Sequence, residues 1–144
     1  MISEYTLTDQ EVSVLQIIHY QQSHSYSQFI PQITALMYLA DKGVLTDSLQ
    51  FDKNRFTLNS SELESLIQEL ESQDIVYMDS SVTFGGDTRN EVYLTENGRE
   101  LLDEYPDTEL NEKVVDVCEE YGEIPISNLV SIIRESENSI EWLR

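Results

Sequence analysis

The stretch at residues 59–94, NSSELESLIQELESQDIVYMDSSVTFGGDTRNEVYL, decides the fold. Its first part begins with helix-capping residues, NSS, and then repeats apolar side chains at helical spacing, at Leu63, Leu66, Ile67 and Leu70. Two short β-favouring runs follow, IVYM at 75–78 and EVYL at 91–94, on either side of a turn-rich tip that contains Gly85 and Gly86. The stretch therefore predicts a helix followed by a β-hairpin with a long loop.

Helical patterns lie on both sides of this stretch. Thr8 and Glu11 have the form of a capping box, which predicts a first helix over residues 9–22. The link at 44–58 has no helical periodicity and is predicted to be extended or irregular. Further helices are predicted at 28–42, 95–105 and 108–121, and from 127 onward.

The order helix, helix, helix, strand, loop, strand, helix is that of a winged helix-turn-helix domain. We therefore predict a mainly α fold with a small β-hairpin, an α+β winged helix-turn-helix with additional C-terminal helices. Residues 1–105 are the predicted winged-helix domain, and 106–144 a helical extension that packs on it or mediates dimerisation. The predicted core consists of Leu15, Ile18, Ile33, Leu36, Leu63, Ile67, Leu70, Val76, Val92, Leu94 and Leu101.

The chain is strongly acidic. Among its 144 residues, 28 Asp and Glu face 8 Lys and Arg, for a formal net charge of −20. Such self-repulsion keeps a protein soluble but destabilises its compact state at low salt. Two explanations stay open: a halophilic host, where the Debye length shrinks to roughly 3 Å at 1 M salt, or an acidic surface that meets a basic partner.

Composition and spacing disfavour several classes of function. No apolar run approaches the roughly 20 residues that cross a bilayer, and the N-terminal residues lack a signal-peptide pattern. We therefore expect a cytoplasmic protein without a membrane role. Cys118 is the single cysteine, and His19 and His24 lie five apart, which does not suit a zinc pair on a helix. We predict no catalytic residue, no metal and no cofactor, and hence a non-enzymatic protein.

The predicted third helix occupies the place of a DNA-reading helix, yet it contains no Lys or Arg. Recognition helices normally present cations to phosphates and donors to base edges. This helix instead has carboxylates, which we predict to form a partner-binding acidic face of Glu62, Glu64, Glu69 and Glu71. A third interpretation, in which these carboxylates mimic the phosphates of DNA, stays open.

A few cations near the predicted hairpin keep DNA contact open as an alternative. Two of them precede the third helix, and Arg89 lies in the hairpin loop, or wing. An arginine in such a wing can enter a narrow minor groove, although it can also pair with a neighbouring carboxylate. The candidate nucleic-acid-binding residues are Lys53, Arg55, Thr88, Arg89 and Asn90.

Two resemblances accompany these patterns. The run YLTENG at 93–98, followed by Leu101 and Leu102, resembles the YxLTxxGxxxL signature of many winged-helix regulators, which implies a fold and says little about a ligand. Over residues 33–133 the chain also resembles the YwgA-like and Panacea (phage-associated, antitoxin-linked) proteins. That likeness rests on ITALMYLAD at 33–41, SSEL at 60–63 and YGEIPISNL at 121–129.

The second resemblance implies a regulatory or antitoxin-side module without known catalytic residues. The chain departs from that group at 56–60, where it has FTLNS and the group often has Tyr-Gly-Pro-Tyr-Ser. We therefore predict a winged-helix regulatory or antitoxin-like module that acts mainly through contacts with a basic protein or with a second copy of itself. The alternative is a DNA-binding transcription regulator adapted to high salt.

Overall fold

The computed structural model describes residues 7–41, 52–53, 58–82, 85–86, 88–105 and 109–137. The elements, in chain order, are α1 (Asp9–Ser23), α2 (Ile30–Asp41), β1 (Asp52–Lys53), β2 (Leu58–Asn59), α3 (Ser61–Ser72), β3 (Val76–Val82), β4 (Thr88–Leu94), α4 (Glu96–Asp103), α5 (Glu109–Tyr121) and α6 (Ile126–Glu137). The predicted α+β class, mainly helical with a small hairpin, is confirmed. The last residues, 138–144, which include Trp142, lie outside the described residues.

Helix α1 begins at the predicted capping box. Thr8 Oγ1 accepts a hydrogen bond from the Glu11 N–H at 3.2 Å, and Glu11 Oε1 accepts from the Thr8 N–H at 2.9 Å. These two bonds satisfy backbone donors that the first turn of a helix otherwise leaves without partners. The capping prediction is therefore confirmed in atomic detail.

The chain between α1 and α2 joins the hairpin as a third extended segment. The Val92 N–H donates to the Gln28 carbonyl at 3.0 Å, and Gln28 Nε2 donates back to the Val92 carbonyl at 2.9 Å. Phe29 forms an isolated antiparallel bridge to Glu91. A single bridged residue produces no alternating apolar pattern in the sequence, so this contact could not be predicted from it. Helix, extended segment, two helices and a hairpin together give a winged-helix-like arrangement.

Strands β3 and β4 form the wing hairpin, with a register that runs from Val76 opposite Leu94 to Val82 opposite Thr88. Both strands extend further toward the tip than the four-residue runs predicted at 75–78 and 91–94. The added residues are polar apart from Val82: Ser80 Oγ, for example, donates to Asn90 Oδ1 at 2.6 Å. Because these solvated strand ends have few apolar residues, their composition predicts a loop even where the ladder continues.

Thr95 and Gly98 fix the junction between β4 and α4 onto the start of β3. Thr95 Oγ1 caps α4 by accepting from the Gly98 N–H at 2.9 Å, and it donates to the Asp74 carbonyl at 2.6 Å. The Thr95 N–H donates to the Ile75 carbonyl at 3.1 Å. At Gly98 a Cβ atom would overlap that same carbonyl. The LTxxG part of the signature thus allows the backbone of α4 to pack in close contact with the start of β3.

A single apolar cluster unites the described helices and the hairpin. All residues predicted for the core are buried, with exposures of 5% or less. Helix α5 packs on α1 and α2, and α6 packs on α2. Val114 and Cys118 of α5 and Leu129 of α6 belong to the same cluster as the N-terminal helices. The C-terminal helices therefore contribute to the main core.

The turn between α5 and α6 is held by two buried glutamines. Gln21 Nε2 of α1 donates to the Ser27 carbonyl at 2.8 Å and to the Gly122 carbonyl at 2.9 Å. Gln32 Nε2 of α2 donates to the Ile124 carbonyl at 2.8 Å. Both side chains are fully buried, and their Oε1 atoms have no hydrogen-bond partner in the structure. The turn is thus anchored by polar contacts inside an apolar surrounding.

The link before α3 contains a short two-stranded element. Residues of β1 and β2 pair antiparallel, with Asp52 opposite Asn59 and Lys53 opposite Leu58. This pairing places Asn59 in a strand and leaves Ser60 as the N-cap of α3, whose Oγ accepts from the Leu63 N–H at 3.1 Å. The rest of the predicted link lies outside the described residues.

Candidate functional site

The glutamates of α3 lie on two flanks of the helix. Leu63, Ile67 and Leu70 form its fully buried stripe. All four glutamates are exposed. Residues seven apart lie on the same side of an α-helix, so Glu62 shares one flank with Glu69, and Glu64 shares the other with Glu71. The predicted acidic face is therefore two acidic edges, one on each side of the buried stripe.

The ridge between the two acidic edges is polar and uncharged. It faces away from the buried stripe, and its exposed residues are Ser61, Ser65, Gln68 and Ser72. Serine hydroxyls and a glutamine amide can hydrogen-bond protein or base edges but supply no positive charge. The solvent side of α3 is thus a neutral hydrogen-bonding ridge bordered by carboxylates on both sides.

The candidate nucleic-acid residues that the structure describes lie on two strands, β1 and β4. Lys53 is in β1, while Thr88, Arg89 and Asn90 are the first residues of β4. Asn90 is exposed and accepts the hydrogen bond from Ser80 described above. For the others among these strand residues the structure describes the backbone alone, and Arg55 lies outside the described residues.

The cationic side chains that the structure describes are Arg99 on α4 and Lys113 on α5, and both are exposed. Neither residue belongs to α3 or to the wing hairpin. In the described part of the surface, the helix that would read DNA in this fold therefore has no cation of its own to offer a phosphate. An electrostatic contact with DNA at α3 would have to rely on screening by salt.

The outer face of the wing hairpin holds an arrangement that the sequence analysis missed. Tyr77 and Tyr93 face each other across β3 and β4, with ring centroids 5.3 Å apart and 21° between the ring planes. On the same face, Asp79 lies opposite Glu91. In the sequence, each strand has a tyrosine two residues from an acid, Tyr77 before Asp79 and Glu91 before Tyr93. Whether these residues pair across the hairpin can be decided only when the strand register is known.

Hydrogen bonding and burial determine the protonation state of the Tyr93 phenol. Tyr93 Oη donates to Glu91 Oε2 at 3.2 Å. Burial, followed by this hydrogen bond and by the negative charge of Glu91, raises the pKa of Tyr93. The phenol therefore stays protonated and remains a donor to the carboxylate at neutral pH.

Burial and ring stacking describe the surroundings of the single cysteine and the two histidines. Burial raises the pKa of the Cys118 thiol to about 12, so it is a poor nucleophile. Burial, and then the positive charge of Arg99, lowers the pKa of His19. His24 stacks on Tyr20, with ring centroids 4.0 Å apart. Among the described residues no group of His, Cys, Asp and Glu side chains could hold a metal ion.

None of the helices that the structure describes has the length and apolar character to span a membrane. No family model and no curated protein matches the chain, so membership of the YwgA-like and Panacea group stays a prediction. Among solved structures, the crystal structure of CouR from Rhodococcus jostii RHA1 bound to p-coumaroyl-CoA is similar, with a TM-score of 0.37 and 19% identity over 92% of this chain and 72% of that chain.

Proposed function

We propose that this winged-helix-like chain is a non-enzymatic regulatory module whose helix α3 binds a basic protein surface. The observation that carries the proposal is the charge of α3: its solvent side has carboxylates on both flanks, a neutral ridge between them, and no Lys or Arg. The same helix in a DNA-reading protein of this fold class would be expected to carry cations.

Electrostatics favours a protein over DNA at this surface. Binding to duplex DNA is driven largely by the release of counterions when Lys and Arg neutralise phosphates. Four carboxylates oppose that driving force, since at moderate salt they repel the phosphates. A basic protein surface is attracted by the same carboxylates, which increase its association rate. The two acidic edges would accept cations on either side of a helix-sized contact.

The biological setting of such a contact follows from the resemblance to antitoxin-linked proteins. A regulator or an antitoxin-like adaptor would use α3 to cover a basic site on its partner. The C-terminal helices could in addition pair two copies of the chain, as the alternative for residues 106–144 suggests. A DNA mimic is a special case, in which the partner's basic site is one that ordinarily holds DNA.

DNA binding at high salt is the second candidate, and the neutral ridge of α3 favours it. Ser61, Ser65 and Gln68 are exposed and could hydrogen-bond to base edges without any charge. Asn90 is exposed on the wing strand that would lie beside the minor groove. At molar salt the repulsion between carboxylates and phosphates is screened over a few ångströms, roughly 3 Å, and such polar contacts could then suffice.

Two titrations separate these candidates. The first adds labelled duplex DNA of random sequence at low and at molar salt, and the proposal expects no binding at either. The second adds a labelled lysine-rich helical peptide to the wild type and to the pairs E62Q/E69Q and E64Q/E71Q. Each pair should weaken binding, whereas E119Q/E120Q on α5, with the same change in charge, should not. DNA binding at molar salt that is lost in Gln68→Ala would establish the second candidate instead.

A further inference from the structure

The outer face of the wing hairpin joins an aromatic stack to two facing carboxylates. Tyr77 and Tyr93 are direct cross-strand partners, and Asp79 and Glu91 are the next pair on the same face. We call these four residues the tyrosine–carboxylate face. It belongs to strands β3 and β4, whereas the acidic edges described above belong to α3, so its function can be tested separately.

Two features of this face are unfavourable in themselves. Like charges directly opposite each other in an antiparallel pair destabilise the hairpin. Tyr77 is 48% exposed, which makes it one of the few large apolar side chains that the described surface leaves open. The stack nevertheless has a fixed geometry, because the two rings lie nearly parallel and Tyr93 donates to Glu91. A bound cation would relieve the repulsion and cover the exposed ring.

We propose that the tyrosine–carboxylate face binds an arginine side chain presented by a segment of a partner protein. A guanidinium group stacks flat on a tyrosine ring and can form paired hydrogen bonds with a carboxylate. Here a stacked ring pair and two carboxylates lie side by side, which matches the planar and donor-rich shape of that group. A lysine ammonium could pair with the carboxylates but gains less from stacking.

The chain's own arginine on this hairpin bears on the proposal. Arg89 lies two residues before Glu91 on β4, and it is the one Lys or Arg within the two strands. If a partner's arginine is the ligand, Arg89 can at most compete for the same carboxylates. Arg89→Gln should therefore bind an arginine peptide at least as tightly as the wild type, and weaker binding in this variant would contradict the proposal.

The main test is a titration of the isotope-labelled protein followed by its backbone amide resonances. The probe is the peptide Gly-Arg-Gly-Arg-Gly, and Gly-Lys-Gly-Lys-Gly is its charge-matched control. The arginine peptide should shift the amides around Tyr77, Asp79, Glu91 and Tyr93 and should bind about two- to fivefold tighter than the lysine peptide. Equal affinity for the two peptides, or shifts spread evenly over the acidic surface, would overturn the proposal.

Variants separate the ring from the charges. Tyr77→Leu should weaken the arginine peptide by about two- to fivefold, whereas Tyr77→Phe keeps the ring and should bind like the wild type. The pair D79N/E91Q should weaken binding by about two- to tenfold, as expected for exposed ion pairs. The matched pair E119Q/E120Q on α5 removes the same charge and should leave this affinity unchanged. Equal losses in both pairs would show only general attraction to an acidic protein.

Other occupants give recognisable outcomes in the same experiment. If a second copy of the chain covers this face, its amides will shift with protein concentration in the absence of peptide. If the rings stack on nucleobases, single-stranded oligothymidine will shift the same amides more strongly than the arginine peptide. Either result would overturn the proposal. If the lysine-rich helical peptide fails to bind α3 while the arginine peptide binds the hairpin, the proposed function is overturned and this inference stands.

Discussion

Gly98 of α4 lies directly against the carbonyl group of Ile75, and a Cβ atom at Gly98 would overlap the oxygen of that group. The same oxygen accepts a hydrogen bond from the N–H of Thr95. The start of β3 and the start of α4 are therefore in contact through backbone atoms, and the position tolerates no side chain without movement of one element.

Gly98→Ala should therefore destabilise the protein, even though alanine favours a helix over glycine. Overpacking of this kind costs about 1–3 kcal/mol, against a propensity gain of about 1 kcal/mol in the helix. Chemical denaturation followed by circular dichroism measures the difference in the free energy of unfolding. Glu100→Ala, at an exposed position of the same helix, is the control and should change it little. A Gly98→Ala protein as stable as this control would show that the junction is looser than the structure indicates.

The elements that the sequence predicts best are those whose apolar spacing is long enough to set a period. Helix α1 with its capping box and the buried stripe of α3 both have such spacing, and both are observed. The Thr95–Gly98 pattern was recognised as a marker of the fold. Its physical reason, the close approach to Ile75, requires coordinates because it joins residues twenty or more positions apart.

The parts that the sequence did not predict depend on contacts between distant segments. The bridge at Phe29 and the buried glutamine pair have no local pattern. The four glutamates of α3 were predicted as one acidic face. Their division into two edges needs no distant contact: it follows from helical geometry and the predicted apolar stripe of Leu63, Ile67 and Leu70, although we predicted a single face. The tyrosine–carboxylate face depends on the strand register, which a long polar hairpin leaves undetermined.

Gln21 should be important for the attachment of the C-terminal helices. Gln21→Met keeps a similar volume but removes the donors to the carbonyls of Ser27 and Gly122, whose bonds are 2.8 and 2.9 Å long. The Ser27 carbonyl loses this donor, whereas the Gly122 carbonyl keeps the longer bond from Gln32 Nε2 at 3.4 Å. A buried carbonyl without a donor costs about 1–3 kcal/mol. Removal of the unpaired Oε1 atom offsets part of this loss.

A fall in the free energy of unfolding of about 1–3 kcal/mol is the expected net result, measured by denaturant titration. Gln68→Met makes the same substitution at an exposed position of α3 and serves as the control. Hydrogen exchange at the amides of α5 and α6 gives a second readout, since both helices should exchange faster in Gln21→Met. Unchanged stability and exchange would indicate that the turn is held by apolar packing alone.

Cys118 should react with thiol reagents only when the protein unfolds. Its side chain is fully buried, and burial raises its pKa from 9.0 to about 12. Between pH 9 and about 12 the thiol stays neutral in the folded protein but ionises in the unfolded chain. Its contribution to the free energy of unfolding is therefore complete below pH 9 and is lost as the pH rises from 9 toward 12. Because it is the single cysteine, labelling with a chromogenic disulfide reports this site alone.

The labelling rate at neutral pH should follow the rate or extent of unfolding as denaturant is added. The free peptide of residues 112–124 provides the reference rate for an accessible thiol. A native protein that is labelled as fast as this peptide would contradict the burial of Cys118.

Salt should stabilise the protein if its net charge reflects a halophilic host. The formal charge is −20, and repulsion among so many carboxylates weakens the compact state until ions screen it. The melting temperature should therefore rise steadily between low and molar KCl, because the Debye length shortens from about 30 Å at 0.01 M to about 3 Å at 1 M. Sucrose is the control for general exclusion of solutes, which also favours the folded state but does not screen charge.

Replacing all four glutamates of α3 by glutamine should raise the melting temperature at low salt and flatten its salt dependence. If KCl instead leaves the melting temperature unchanged, the acidity is not an adaptation to salt, and a basic partner becomes the explanation that the two acidic edges of α3 support.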